Sequence, residues 1–161
     1  MPALLGPVLL ALAGCGPEPV HDPSAGMSPQ QAVALIDAAP RSEIALADLV
    51  EAYAFGSTAT DARREALAND VIGHAVEWDI PVNGVSVTED RYRLTTPAIE
   101  TRNRAEAVPV LKVAAFVISR GPADEQRLLR LRTDQTVRVR GIVQEIRDQK
   151  AVAIVPAVLV P

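Results

Sequence analysis

The chain has 161 residues, of which 16 are basic and 20 acidic, so its formal net charge is −4. A chain of this length folds as one domain with a modest core, and its acidic balance excludes a global attraction to nucleic acid or to an anionic membrane surface. Aromatic residues make up only 3%, so a broad face for base stacking is poorly supplied.

An apolar segment, ALLGPVLLALAGC, occupies residues 3–15. It is too short to span a bilayer and is typical of an export signal. Its last four residues, from Leu12 to Cys15, resemble the lipobox of bacterial lipoproteins, in which the signal is cut before a lipidated cysteine. The resemblance predicts a signal peptide at residues 1–14 and lipidation of Cys15. No Lys or Arg precedes Cys15, where a signal normally carries positive charge, so an upstream start is an open alternative.

Residues 15–27 are predicted to be the lipidated cysteine and a flexible tether, since they contain three prolines, two glycines and no apolar period. Gly16 follows the cysteine where no aspartate stands, and by resemblance to the sorting rule of Gram-negative lipoproteins this favours the outer membrane. We therefore expect a protein of the bacterial cell envelope that is anchored through Cys15 and faces the periplasm. The alternative is a free or buried cysteine after an unrelated apolar stretch.

Residues 28–69 are predicted to form two or three short helices. Ser28 and Gln31 have the spacing of a capping box at the first helix start. Ser42 is predicted to cap the second helix, and the third is predicted over residues 61–69. Their apolar stripes are narrow, which is typical of helices that cover a sheet.

Residues 70–161 are predicted to form a β-domain with one helix, which begins near Gly121, between its third and fourth strands. Pro156 predicts that the last strand is an edge strand or contains a bulge. Three strands, a helix and two strands are the order of the OB-fold, a five-stranded Greek-key barrel. The five predicted strands are residues 75–87, 92–96, 108–119, 136–146 and 151–160.

Glycines mark bends in two of these strands. The apolar residues change parity at Gly141, from Val139 before it to Ile142 after it. A strand keeps its inner face across such a change only through a bulge, at which we expect glycine with a positive φ. Asn83-Gly84 marks a similar change in the first strand, where a two-residue hairpin turn is the alternative.

A family resemblance is carried by the runs VIGHAVEWDIPVNGV, YRLTT and LLRLRTDQTVRVRGIVQEI. Residues from about 60 to 155 resemble the tRNA-anticodon-binding-like family of OB-fold domains, which occur in bacterial envelope proteins and lipoproteins. The family shows Gly-Lys-x-Val-x-Trp at its opening and Gly-Asp-x-Val-x-Val-x-Gly in the fourth strand. Here His74 replaces the lysine and Thr133 replaces the first glycine of the second pattern. The resemblance implies the fold, and its glycines and valines specify no activity.

The candidate binding residues are those expected where OB-folds hold ligands, across the second and third strands and between the adjoining loops. They are Tyr92, Arg91, Arg93, Lys112 and Lys150. Together they would hold an anionic or glycan ligand by stacking and charge-assisted hydrogen bonds. The alternative is a solvated face whose basic groups pair with nearby carboxylates. Trp78 has the parity of a core residue, and a wall of a ligand cleft is its alternative.

The sequence contains no recognisable catalytic or metal-binding pattern, so no catalytic residue, metal or cofactor is predicted. Its two histidines, His21 and His74, are far apart in the sequence. We therefore expect a non-enzymatic envelope lipoprotein whose OB-fold domain binds a protein, peptide or glycan partner, and no nucleic acid. The alternatives are a nucleic-acid-binding OB domain and an enzyme with an undetected site.

Overall fold

The computed structural model describes residues 24–88, 91–101 and 109–161. Within these ranges the protein is mainly β, with a sheet of seven strands and four helices. The predicted signal peptide, Cys15 and most of the predicted tether lie outside the described residues. Helices α1 to α4 are Pro29–Ala38, Leu46–Tyr53, Asp61–Val71 and Pro122–Leu129. Strands β1 to β7 are Ala75–Pro81, Gly84–Thr88, Arg91–Thr95, Ile99–Glu100, Pro109–Val117, Thr136–Arg147 and Ala151–Leu159.

The first two helices differ in how well their starts could be predicted. At α1 the Ser28 hydroxyl accepts from the Gln31 N–H, and the Gln31 side chain accepts from the Ser28 N–H, so the capping box is confirmed. The predicted cap of α2 at Ser42 is wrong, because that helix begins at Leu46. The Ser42 N–H instead donates to the carbonyl of Ala75 at 3.0 Å, so this segment joins the side of the sheet before the helix begins.

The first predicted strand is two strands in the structure. β1 pairs with β6 and β2 pairs with β3, and within the described residues no ladder joins β1 to β2. The hairpin alternative at Asn83-Gly84 is therefore wrong. The chain instead continues through Val82 and Asn83 from one strand into the next, and the interruption changes the pairing partner.

The strand order of the sheet is β1-β6-β7-β5-β3-β2, and the short β4 pairs with β5. The ladder between β5 and β7 is parallel, whereas the other ladders are antiparallel. β1 and β2 stand at the two ends of this order but are separated in the chain only by Val82 and Asn83. The order therefore begins and ends on one bent segment.

The main core lies between the sheet and helices α2, α3 and α4, with Leu49, Leu67 and Leu128 as buried helical contributions. As predicted, the helices cover the sheet. A second, smaller cluster joins Ile36 of α1 to Val158 of β7. Strand β7 is therefore covered by the main core on one side and by α1 on the other.

Pro156 does not make β7 an edge strand, and that alternative is wrong, because β7 lies between β6 and β5. The bulge alternative is confirmed, since the register shifts on both sides of Pro156. On β5 the shift falls between Ala115 and Val117, and on β6 it falls between Gly141 and Val143. A bulge accommodates the missing N–H of a proline inside a sheet.

The extra residue predicted in the fourth strand at Gly141 is wrong, because the ladder between β1 and β6 runs through Gly141 without a shift and the additional residue opposite it belongs to β7. The positive φ expected at Gly141 is also wrong, because its backbone lies outside the left-handed region. The need for glycine has another cause. A Cβ at this position would lie 2.4 Å from the carbonyl oxygen of Pro156 and 2.6 Å from Cγ2 of Ile154. Gly141 is therefore required by the close approach of β7.

Candidate ligand-binding surfaces

The structure separates the five predicted binding residues into two groups. The first group lies on β3 and consists of Arg91, Tyr92 and Arg93. The second group lies near the starts of β5 and β7 and consists of Lys112 and Lys150. In the ladder between β3 and β5, Arg93 is opposite Phe116. Phe116 is four residues along β5 from Lys112, which is about 13 Å at the rise of a strand. The two groups are therefore separate positive spots on the sheet.

Arg93 is exposed, and its guanidinium carbon lies 5.7 Å from the centre of the Phe116 ring. This is the distance of a cation–π contact. The neighbours of these residues in sequence, Leu94 and Val117, are fully buried, so alternation directs Arg93 and Phe116 to the outer face of the sheet. Phe116 was not predicted as a site residue, although it shares its parity with Lys112, and that parity was the available signal.

The other two residues on β3 have more enclosed surroundings. Tyr92 is half-buried and packs against the main core, as its alternation with Arg93 requires. Arg91 is only 4% exposed, and its Nη1 donates to the hydroxyl of Ser24. Arg91 therefore ties the segment before α1 to β3, while the role of both residues in ligand binding stays a prediction.

The second group lies at the turn between β6 and β7. Asp148 and Gln149 adopt left-handed backbone conformations, with φ of 50° and 56°, which suits a tight hairpin turn. The Lys112 N–H donates to the carbonyl of Lys150 at 2.8 Å, and both lysine side chains are exposed. The parallel start of β5 and β7 thus holds two ammonium groups at one end of the sheet.

Trp78 is a core residue, as its parity predicted. Its side chain is 4% exposed and belongs to the main core. The indole N–H donates to the carbonyl of Ile44 at 2.9 Å, which satisfies the polar atom of a buried tryptophan. This hydrogen bond fixes the segment before α2 against β1.

A groove of about 460 Å³ lies between that segment and β1. Residues 41–47 form one wall, residues 75–79 form the other, and Arg140 also lines it. Arg138 donates two hydrogen bonds to Asp79, at 2.8 and 2.7 Å, and this hydrogen bonding holds the pKa of the Asp79 carboxyl below its usual value. No local sequence pattern predicts this groove, because it depends on where the connection between α1 and α2 lies.

Within residues 24–88, 91–101 and 109–161, no group of three or more His, Cys, Asp or Glu side chains could hold a metal ion. In the same part of the chain, no helix is long and apolar enough to cross a membrane. Comparisons of the chain with protein-family models, curated proteins and solved structures found no match.

Proposed function

We propose that this chain is a non-enzymatic, lipid-anchored protein of the bacterial cell envelope whose OB-type barrel binds a protein, peptide or glycan partner. The strand order supports the OB-type assignment. If β1 and β2 are counted as one bent strand, the order becomes first-fourth-fifth-third-second, with a parallel ladder between the third and fifth strands. Helix α4 lies between the third and fourth of these strands. With the short β4 left out, this order and the position of α4 support a five-stranded Greek-key barrel of the OB type.

The observation that carries the binding proposal is the contact of the exposed Arg93 with the half-buried Phe116. These residues lie on β3 and β5, the second and third strands of the proposed barrel, which form the ligand face of OB-folds. A guanidinium over an aromatic ring offers both a charge-assisted hydrogen-bond donor and a flat apolar surface. This combination favours a partner that carries carboxylates, in an acidic peptide segment or an acidic glycan.

Calorimetric titration tests this face with short acidic peptides and acidic oligosaccharides, each compared with its neutral counterpart. Arg93→Ala should weaken binding of an acidic probe by about tenfold or more, because a hydrogen bond to a charged group contributes about 1.5–3 kcal/mol. Arg132→Ala is the matched control, since Arg132 is also exposed but lies outside β3 and β5. Equal losses in both variants, or no binding by any acidic probe, would contradict the proposal.

The anchor is tested separately from the binding face. The Leu-Ala-Gly-Cys stretch before a proline-rich segment motivates it, and several acyl chains would give stable attachment where one gives only marginal binding. Cells are labelled with a fatty-acid analogue, and the wild type should incorporate label and sediment with membranes while Cys15→Ala does neither. Equal labelling of both proteins, or a wild type that stays in the aqueous fraction, would exclude lipidation at Cys15.

A further inference from the structure

We propose that the open side of β1 binds an extended, basic peptide as an added strand, within the groove between β1 and residues 41–47. This inference concerns a different strand from the proposed ligand face. It does not rest on Arg93, on the lipid anchor or on the OB-type assignment.

The backbone of β1 is paired on one side only. The Ala75 N–H donates to the carbonyl of Pro40, and the Ala75 carbonyl accepts from Ser42, so Ala75 directs its polar groups away from β6. In an antiparallel ladder the direction of these groups alternates along the strand. Glu77 and Asp79 have the parity of Ala75, so their N–H and carbonyl groups also point away from β6.

The segment beside β1 pairs with it at one place, the parallel bridge between Arg41 and Ala75. After that bridge, the Ile44 N–H donates to the Ser42 hydroxyl, and the Ile44 carbonyl accepts from the Trp78 indole. These hydrogen bonds occupy the N–H and the carbonyl of Ile44, which would otherwise be able to pair with β1 and continue the ladder. Among the described residues, no backbone bond outside the β1–β6 ladder engages Glu77 or Asp79.

There is room beside these open groups. The groove of about 460 Å³ follows β1 from Ala75 to Asp79, and a second hollow of about 210 Å³ continues from Asp79 to Pro81. The two share the walls formed by Leu46 and Ala47. Pro81 has the same parity as Asp79 and lacks an N–H, which a strand tolerates only where that side is unpaired. An added strand would therefore pair along β1 as far as Asp79.

The charge of the residues that line the two hollows determines which kind of peptide they favour. Glu51 apart, four carboxylates line the two hollows, against two guanidiniums. Arg138 and Asp37, which pair with lining residues, add one charge of each sign. The four carboxylates are those of Glu43, Glu77, Asp79 and Glu100. A second copy of this chain, paired antiparallel through β1, would place its own Glu77 and Asp79 beside these groups, which like-charge repulsion opposes. A basic peptide meets no such penalty.

The first test uses a fluorescein-labelled octapeptide of alternating Lys and Val. Fluorescence anisotropy is measured against the full-length chain in a non-ionic detergent, with protein-free micelles as a control. We expect saturable binding, and affinities about tenfold weaker for an alternating Glu-Val peptide and for a Lys-Val peptide that is N-methylated at its four central residues. Absence of saturable binding by the Lys-Val peptide, or equal binding by the N-methylated peptide, would overturn the proposal.

The second test uses two variants of one residue. Asp79→Ala removes the carboxylate and keeps the outward N–H, whereas Asp79→Pro removes both without a change in the bonds to β6. Asp79→Pro should bind the Lys-Val peptide about five- to tenfold more weakly than Asp79→Ala. If both variants fold and bind the Lys-Val peptide with equal affinity, the proposal of an added strand is refuted.

Circular dichroism shows whether Asp79→Pro folds. If it does not, amide hydrogen exchange of the wild type provides a readout that needs no variant. Saturation with the Lys-Val peptide should slow exchange of the Glu77 and Asp79 amides. Slowed exchange at Arg93 and Phe116 in place of β1 would assign the peptide to the other face and refute this inference.

Discussion

Strands β7 and β2 belong to one sheet but have opposite surroundings. Every residue of β7 from Val152 to Leu159 is buried, because the main core lies on one side and α1 on the other. The last three residues of β2, Ser86 to Thr88, are exposed, and Val87 is 61% exposed although it is apolar. The comparison teaches that the elements packed against a strand determine how many of its faces are buried. Substitutions should therefore lower the free energy of unfolding most in and around β7, where the backbone itself is crowded.

The largest expected effect is at Gly141, where β6 meets the bulge of β7. Gly141→Val should lower the free energy of unfolding by about 3 kcal/mol or more, because over-packing of a rigid site typically costs 1–3 kcal/mol and here the nearest atom is a backbone oxygen. That oxygen, of Pro156, would lie 2.4 Å from the added Cβ. Urea unfolding of residues 24–161 measures the change.

Gly84→Ala is the matched control on β2. Its Cβ would lie 3.4 Å from the Thr95 hydroxyl, an ordinary contact, and the backbone at Gly84 is outside the left-handed region. We therefore expect a change within about 0.5 kcal/mol. If Gly84→Ala proved as destabilising as Gly141→Val, the contrast between the crowded and the open region of the sheet would be wrong.

Gly141 also shows how far the sequence can predict this fold. The change of apolar parity there is a local signal, but it assigned the extra residue to β6, whereas at this point the bulge belongs to β7. The reason for the glycine is the closeness of Pro156. A local pattern cannot reveal it, because Pro156 comes next to Gly141 only through the pairing of β6 with β7. At Pro156 the local pattern left an edge strand and a bulge open. The place of β7 between β6 and β5 decides for the bulge, and this place depends on tertiary pairing.

The candidate site shows the same limit. Alternation placed Arg93 on the outer face, whereas its contact with Phe116 depends on the register between β3 and β5. Burial of Arg91 depends on Ser24, 67 residues earlier in the chain. The open side of β1 depends on the segment that contains Ile44. Local patterns thus predict which way a side chain points, and tertiary contacts decide what it meets.

A smaller effect is expected from removal of one methyl group within β7. Ile154 is fully buried, so Ile154→Val should lower the free energy of unfolding by about 0.5–1.5 kcal/mol through lost contacts and a residual cavity. Val87→Ala removes more atoms from an exposed position on β2 and should change stability by less than about 0.5 kcal/mol. The two proteins are compared by urea unfolding, and a larger loss for Val87→Ala would indicate that the outer face of β2 is covered.

The smallest effect is expected at the end of β7, where an ion pair helps to hold α4. Arg120 donates to both carboxylate oxygens of Asp124 and also to the carbonyl of Leu159 at 2.9 Å. Hydrogen bonding from Arg120 holds the pKa of Asp124 below its usual value. Its contribution is therefore present above the unfolded pKa of about 3.9 and is lost as the pH falls through the lower folded pKa. Asp124→Asn should cost less than about 1 kcal/mol at pH 7.

The pH dependence separates this ion pair from a loss of packing. The difference in unfolding free energy between wild type and Asp124→Asn should shrink as urea unfolding is repeated at successively lower pH below about 4, because the wild-type carboxyl then becomes neutral as well. Asp61→Asn is the control. The Asp61 side chain pairs with Arg64 but is 97% exposed, so this substitution should lower the free energy of unfolding by still less. A difference for Asp124→Asn that stayed constant down to full protonation would show that its carboxylate charge contributes nothing at the end of β7.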